Sequence, residues 1–308
     1  MMKYFTVVIF IILSITAQAQ HSAPNKTKDQ FDKYIDSLKT LSFETINNPE
    51  EVERYNATYA MIKVLKNALK LPNSFNMSFD SLKTISVLLS PDRRFKIFSW
   101  HVMNQDGSYR YYGTIQMNNS TGKLQLFPLI DQSFSYKKPQ DTVTTNQNWY
   151  GCQYYKIIPV IYNVKTPYYV LLGWKGNTVK TTKKVIEVVS FKEGNALFGM
   201  PVFDGDKTRM GKKRIVFEYN RQVTDMLNYL PKENTIVFDH LAPPDPKLEG
   251  KFESYGPDMT YDGFKLVNGR WKFVENLNLK NAPTEMDKMF NNPKKPSKGV
   301  VNKLKPVQ

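Results

Sequence analysis

A change of hydrophobic period near residue 85 constrains the fold of this chain more than any other feature. Before it, apolar residues recur every three to four positions, as on one face of a helix. After it, apolar and polar residues alternate, as on a strand with one buried face; Ile215, Phe217 and Tyr219 are one such set. The change predicts a mainly β protein of the α+β class, in which an N-terminal helical pair precedes an antiparallel β domain.

The helical pair is predicted over residues 29–72. Its first helix runs from Asp29 to Leu41, and residues 40–47 form a connector. Asn48 and Pro49 then give a helix start signal, because asparagine caps a helix and proline suits its first turn. The second helix continues to about Lys70, since Pro72 cannot extend it.

The β domain is predicted over residues 84–276 as a meander of about a dozen short strands. Asp106-Gly107 and Asn268-Gly269 are hairpin turn signals. The second is the strongest, because a type I′ turn needs positive φ at both central residues. A polar stretch, residues 131–148, is the longest predicted loop.

The order of the strands leaves two architectures open. No ten-residue helical pattern separates the strands, so a parallel βαβ fold is not expected. A sandwich or open barrel is the preferred architecture. Three loosely similar stretches at irregular spacing keep a propeller-like arrangement as the alternative, and they are FKIFSW, YYVLLGWKGN and GFKLVNGRWK.

Both ends of the chain differ from its body. Residues 1–19 have the pattern of a signal peptide: Lys3, a short apolar run, and Ala17-Gln18-Ala19 before the cut. Residues 20–28 and 291–308 are polar and are predicted to be disordered, and the second segment is basic. Cys152 is the only cysteine, so neither an intramolecular disulfide nor a lipid anchor at the mature N-terminus is expected. We expect export to the periplasm or the exterior.

The charge balance favours anionic partners. The chain has 43 Lys and Arg against 28 Asp and Glu, which gives a formal net charge of +15. A basic surface attracts anionic polysaccharide or a membrane surface. Nucleic acid is not expected as a partner of an exported protein, and the sequence does not give the oligomeric state.

Several phrases resemble an uncharacterised group of secreted proteins of the Bacteroidota. They are SPDRRFKIFSW at 90–100, YYVLLGWKGN at 168–177 and DHLAPPDPKLEGKFESYGPDMTYDGFKLVNGRWKF at 239–273. The resemblance spans roughly residues 85–275. It implies secretion from such a bacterium, and it implies no activity, cofactor or catalytic residue.

The candidate catalytic residues are few. The chain has neither the Gly-x-Ser-x-Gly elbow of many hydrolases nor a His-Glu-x-x-His zinc motif. Asp239, His240 and Asp258 could act as acid or base groups if the fold brought them together. Polar residues at the end of a strand would give the same pattern. No cofactor is predicted.

Two acidic groups suggest metal ligands, the pair Asp258 and Asp262 and the pair Asp204 and Asp206, and the second pair gives the metal candidates. Asp204 and Asp206 flank Gly205, and closely spaced carboxylates can bind a hard cation. The full calcium-loop pattern is absent, and basic residues that would oppose a cation follow directly, among them Lys207 and Arg209. Turn geometry explains the same pair, so no metal is predicted.

Aromatic residues are the main candidates for ligand contact. Rings on a strand surface can stack on sugar rings, although core packing explains most aromatic residues in a β domain. The candidates are Trp100, Trp174, Trp271, Tyr112 and Tyr155. Together with the charge, they indicate a non-enzymatic binding or structural module at the cell envelope, for an anionic glycan or lipid. The alternative is a secreted hydrolase acting on a polymer.

Overall fold

The computed structural model describes residues 26–119, 121–162, 164–205 and 207–278. The predicted signal peptide, residues 20–25 and the predicted basic tail at 291–308 lie outside these ranges. Residues 26–28 were expected to be disordered, but they form the first turn of a helix. The helix includes them because it begins ahead of the first buried residue of its apolar face, Phe31.

Two antiparallel helices open the described part of the chain: α1 (Lys26–Asn47) and α2 (Glu51–Leu69). The prediction of a connector at 40–47 was wrong. Ser42 and Thr45 continue the buried face of α1, and Thr58 of α2 donates a hydrogen bond to Thr45 at 3.3 Å. The predicted start at Asn48 is shifted too, because Asn48 accepts a bond from the Glu50 backbone and α2 begins at Glu51.

Strands make up most of the remaining regular structure. In chain order they are β1 (Ser86–Leu89), β2 (Phe95–Met103), β3 (Tyr109–Met117), β4 (Leu126–Ile130), β5 (Thr144–Thr145), β6 (Gln153–Val160), β7 (Tyr168–Gly176), β8 (Thr181–Lys192), β9 (Asn195–Phe198), β10 (Phe203–Asp204), β11 (Ile215–Asn220), β12 (Leu227–Leu230), β13 (Thr235–Ala242), β14 (Gly256–Val267) and β15 (Arg270–Val274).

These strands form three sheets within the described residues. The orders are β1-β2-β3-β4, β5-β9-β8-β7-β6 with β11 also paired to β8, and β10-β15-β14-β13-β12. Neighbouring strands are antiparallel, as predicted, except that β10 pairs with β15 in parallel. No sheet closes into a barrel. We call them the four-stranded, six-stranded and five-stranded sheets.

The helices and the three sheets stack as four layers with three buried interfaces. Phe98 and Trp100 of β2 face the helices, whereas Phe95 and Ile97 on its other face pack on the six-stranded sheet. The far face of the six-stranded sheet packs on the five-stranded sheet through a third cluster, which includes Phe264. The six-stranded sheet is therefore apolar on both faces, as an inner layer must be. The stacking matches the predicted sandwich and the helical pair beside it.

Turn chemistry follows the sequence closely. Asn268 and Gly269 have φ of 50° and 74°, so both central residues of the β14–β15 hairpin are left-handed, as a type I′ turn requires. Gly107, in the turn between β2 and β3, has φ of 78°. In the part of the chain that the structure describes, neither helix combines the length and the apolar character needed to cross a bilayer.

Candidate ligand-binding site

A cavity of about 450 Å³ opens where the ends of β7, β8 and β11 meet the long loop after β4. We call it the aromatic–lysine pocket, because five aromatic rings and three lysines line it. The lining residues are Ser108, Tyr109, Ser133, Phe134, Tyr136, Lys137, Pro139, Gln140, Tyr150, Lys175, Gly176, Asn177, Lys183, Val216, Glu218 and Phe252. Most of the loop residues come from the stretch predicted to be the longest loop.

Lys175 is a buried cation in the wall of this pocket. Its side chain is 5% exposed, and its ammonium lies over the rings of Tyr111 and Tyr150, 4.2 and 4.9 Å from their centroids. Nζ donates one hydrogen bond to the Gly151 carbonyl at 2.9 Å. Burial lowers the pKa of Lys175 to about 8, and Asp131 opposes the shift. Lys175 is mainly charged at neutral pH and has N–H groups left for a ligand.

A polar cluster around Glu218 lies two strands from Lys175 in the same sheet, because Lys175 on β7 pairs with Lys183 on β8 and Lys183 pairs with Glu218 on β11. Glu218 Oε1 accepts hydrogen bonds from Asn177 Nδ2 and Thr181 Oγ1, both at 2.9 Å, and its Oε2 lies 3.1 Å from Lys183 Nζ. Lys183 and Glu218 are adjacent in register, since β8 and β11 pair there. Both oxygens of Glu218 are thus engaged by neighbouring side chains.

A buried ion pair positions the loop wall. Arg214 is fully buried and its Nε lies 2.8 Å from Glu187 Oε2. Its Nη1 donates to the carbonyls of Pro139 and Thr142, the latter at 2.8 Å. The guanidinium therefore ties the loop to the six-stranded sheet, and this contact fixes Pro139 and its neighbours at the pocket edge.

The aromatic rings differ in how much surface they offer. Phe134 is 74% exposed and Phe252 is 41% exposed, although large apolar residues are usually covered. Tyr109 lies against the Gly176 backbone, and a Cβ atom added at Gly176 would come within 2.4 Å of the Tyr109 ring. Arg110 packs on the Phe134 ring at 5.5 Å. The pocket combines ring faces with hydrogen-bonding groups, a composition that suits sugars.

The predicted ligand residues lie elsewhere. Trp100 and Trp271 are 2% and 0% exposed, so their ring faces are covered by core residues. Trp174 is half-buried and contacts Tyr109, which lines the pocket, at a centroid distance of 5.4 Å. Tyr155 is 39% exposed, and its hydroxyl donates to the Leu227 carbonyl.

Tyr112, the fifth predicted ligand residue, stacks on Trp100 on the helix side of the four-stranded sheet. It therefore lies apart from the aromatic–lysine pocket. Strand periodicity indicates which rings share a face, but it does not distinguish a face covered by another layer from an open one.

The candidate acid and base groups are only partly assembled. His240 Nδ1 lies 3.8 Å from Asp258 Oδ2 and 3.9 Å from Asp262 Oδ2, distances longer than a hydrogen bond. His240 and Asp262 line a second pocket of about 400 Å³ together with Arg209. Asp239 takes no part, because its Oδ2 accepts a bond from the Met226 backbone.

Asp204, the metal candidate that lies among the described residues, is not brought together with other metal ligands there. Asp204 is bound by the Arg270 guanidinium, with Oδ1 2.6 Å from Nη2, and this contact lowers the pKa of Asp204. Asp206 lies outside the described residues. Among the residues that are described, no cluster of three His, Cys, Asp or Glu side chains could hold a metal ion.

Several residues that line the aromatic–lysine pocket were not predicted from the sequence. Phe134 and Tyr136 lie in a stretch predicted as a polar loop, and the signal that could have identified them is the alternation of aromatic residues with serines just before Lys137 and Lys138. Lys175 was also missed, and a charged residue inside an apolar strand was the signal that could have found it.

Comparison with known proteins gives no match: neither a family model, nor a curated protein, nor a solved structure is significantly similar to this chain.

Proposed function

We propose that this protein binds an anionic saccharide in the aromatic–lysine pocket, as a non-enzymatic module exported to the cell envelope. The observation that carries the proposal is the pocket composition: five aromatic rings beside Lys137, Lys175 and Lys183, with Glu218 as the one acidic lining residue. Ring faces stack on sugar rings, and lysines attract carboxylate or sulfate groups. Export rests on the leader pattern of residues 1–19.

A glycan suits this pocket better than a lipid. Its lining alternates ring faces with hydroxyl, amide and ammonium groups, such as those of Ser108, Asn177 and Lys183. An acyl chain would bury these polar groups without hydrogen-bond partners, and each such group costs about 1–3 kcal/mol. Sugar hydroxyls would satisfy them.

Binding is better supported than hydrolysis at this pocket. Most glycosidases use two carboxyl groups that flank the scissile bond, whereas Glu218 is alone here and both of its oxygens are engaged. The alternative, a polymer hydrolase, depends on Asp239, His240 or Asp258, of which only His240 lines the second pocket. His240 Nδ1 lies 3.8 Å from Asp258 Oδ2, which is beyond hydrogen-bond distance.

The experiment is calorimetric titration of the chain starting at Gln20 with trigalacturonate and with the neutral trisaccharide maltotriose, at low salt. We expect the uronate to bind and the neutral sugar to bind at least about tenfold more weakly, with an affinity for the uronate that falls as salt is added. Absence of uronate binding at low salt would contradict the proposal. Release of new reducing ends from polygalacturonate would contradict its non-enzymatic part.

Matched variants locate the site. Phe134→Ala should weaken uronate binding about tenfold, whereas Tyr162→Ala should not, although Tyr162 is 81% exposed and equally free of the core. Lys137→Gln should weaken it and Lys138→Gln should not, because only Lys137 lines the pocket. Equal losses in a variant and its control would place binding elsewhere.

A further inference from the structure

A third cavity, of about 360 Å³, lies on the helix side of the four-stranded sheet, between α2 and β4. We call it the α2–β4 groove. Its wall and floor are apolar, and they are formed chiefly by Ile62, Leu65, Leu69, Leu126, Pro128 and Ile130. It shares no lining residue with the aromatic–lysine pocket.

The groove exists because the helical pair covers only part of this sheet face. Phe127 and Leu129 of β4 turn toward the six-stranded sheet and are buried there. The alternate residues of β4 therefore face the helix side, where Ile130 stays 39% exposed. On the α2 side, Ile62 is 37% exposed. Apolar surface is thus left open along the second half of α2.

Two polar groups in the lining suggest what occupies the groove. Trp100 is 2% exposed, and its indole Nε1 is buried without a hydrogen-bond partner among the described residues. Buried N–H groups rarely lack an acceptor. Lys66 is exposed on α2, lines the groove and makes no ion pair with a described residue. The indole N–H of Trp100 and the ammonium of Lys66 lie beside an apolar surface. This combination suits a ligand that is apolar along its length and carries one anionic hydrogen-bond acceptor.

We propose that the α2–β4 groove binds a medium-chain fatty acid, whose carboxylate lies between Lys66 and the Trp100 indole and whose chain lies along Leu126, Pro128 and Ile130. The size agrees: at about 30 Å³ for each water-sized group, the cavity holds about 12 non-hydrogen atoms, the number in decanoate. A hydrocarbon alone would leave the indole N–H unpaired, and a sugar would leave its hydroxyls against apolar side chains.

The experiment is titration of the chain starting at Gln20 with decanoate, followed in ¹H–¹⁵N spectra of the tryptophan indoles. The Trp100 resonance is identified by its absence in Trp100→Phe. We expect decanoate to bind and to move the Trp100 indole proton downfield, as a new hydrogen bond does, while the Trp271 resonance stays in place. Decanol, which has no charge, should bind about tenfold more weakly.

Matched helix variants test the charge and the apolar wall. Lys66→Gln should weaken decanoate binding about tenfold and leave decanol binding unchanged, whereas Lys63→Gln, an exposed lysine outside the groove, should change neither. Ile62→Asp should abolish binding of both, while Val52→Asp, on the same helix and 68% exposed, should not.

Two outcomes would overturn the fatty-acid proposal. The first is that Lys66→Gln leaves the affinity for decanoate unchanged, or that decanol binds as tightly as decanoate, because recognition of the carboxylate would then be absent. The second is a dimer of the unliganded chain that Ile62→Asp converts to monomer, because the groove would then be covered by a second copy. Neither outcome bears on uronate binding, which uses other residues.

Discussion

Arg214 and Asp225 are both ionisable residues of the protein interior, but their surroundings differ: the side chain of Arg214 has partners, and that of Asp225 has no hydrogen-bond partner among the described residues. Arg214 is fully buried and engages Glu187 together with the carbonyls of Pro139 and Thr142. Asp225, in the segment between β11 and β12, is 2% exposed, and neither of its carboxylate oxygens has a hydrogen-bond partner among the described residues. A buried group stays charged where hydrogen-bonding or oppositely charged groups contact it, whereas a buried ionisable group without such partners becomes neutral.

The pKa of Asp225 follows from its surroundings. Burial raises it most, Asp239 on β13 adds to the rise, and Lys184 on β8 opposes both effects, so that the pKa of Asp225 is raised to about 7. Tyr155 and Tyr219 also face this carboxyl, and its negative charge contributes to raising the pKa of each. Asp225 is therefore a largely neutral acid below pH 7, whereas Arg214 keeps its charge and uses it to hold the loop wall of the aromatic–lysine pocket.

Breaking the Arg214 pair should have the largest effect. Arg214→Met leaves Glu187 buried without its guanidinium and removes the donor to Thr142, so we expect a loss of about 3–5 kcal/mol in the free energy of unfolding. Urea denaturation measures this loss. Because the loop is released, uronate affinity should also fall.

The double variant Arg214→Met/Glu187→Leu is the control for that prediction. It removes the stranded carboxylate as well, so it should be more stable than the single variant, although the loop carbonyls remain without donors. A double variant no more stable than Arg214→Met would show that the stranded charge of Glu187 is not the cause of the loss.

Removing the unpaired carboxyl should have a smaller effect, of opposite sign. In the unfolded chain Asp225 ionises near pH 4, whereas in the folded protein it ionises near pH 7. Between these values the folded state holds the extra proton, so stability falls as pH rises. Asp225→Asn has no such penalty, and its gain should be larger at pH 8 than at pH 4 by no more than about 4 kcal/mol, the equivalent of the full difference between the two pKa values.

Thermal or urea denaturation at both pH values measures the difference. Asp32→Asn, at an exposed position on α1, is the control and should show no such difference. A gain from Asp225→Asn that is the same at pH 4 and pH 8 would mean that the carboxyl is ionised throughout.

The sequence predicted the elements of this fold better than it predicted their surroundings. Asn268-Gly269 and the change of period at residue 85 act locally, so the hairpins and the helical pair could be predicted. The end of α1 could not be predicted, because the polar residues Ser42 and Thr45 occupy positions on its buried face. The parallel pairing of Phe203 with Trp271 joins distant segments and leaves no local pattern.

The candidate site depends on such distant pairings even more strongly. Tyr109, Tyr136, Lys175 and Glu218 come from four separate parts of the chain and meet only after the sheets have stacked. Neither residue spacing nor composition predicts that these residues lie together. For the same reason the contrast between Arg214 and Asp225 could not be predicted, because the sequence does not show which buried charged residue has a partner.

Lys175 is intermediate between those two residues, because it is buried and makes one hydrogen bond and no ion pair with the residues that the structure describes. Its pKa is lowered to about 8 in the folded protein by burial and is about 10.4 when unfolded. Between these values the unfolded chain holds the extra proton, so stability should rise with pH. Lys175→Met should remove part of this rise in stability. The rest of the rise should remain, because burial also lowers the pKa of Lys96 to about 8.

At pH 7 Lys175→Met should change stability by less than about 1 kcal/mol, because relief of charge burial is offset by the unpaired Gly151 carbonyl. Its effect on binding should be larger than on stability. Wild-type affinity for uronate should fall as pH passes 8, since the ammonium loses its charge, and the variant should lack this fall. Calorimetry at pH 7 and pH 9 tests both statements, and a variant with the wild-type pH profile would exclude Lys175 from ligand contact.

The smallest effect is expected for an ion pair of ordinary geometry at the surface. Lys39 Nζ lies 3.1 Å from Asp36 Oδ1 on α1, nearly the separation found between Arg214 and Glu187, but the two side chains are 47% and 75% exposed. Water screens such a pair and already solvates both groups, so Asp36→Asn should change the free energy of unfolding by less than about 0.5 kcal/mol. Because distance is nearly constant between the two pairs, a loss from Asp36→Asn comparable to that of Arg214→Met would show that proximity, and not burial, decides what a charge contributes in this protein.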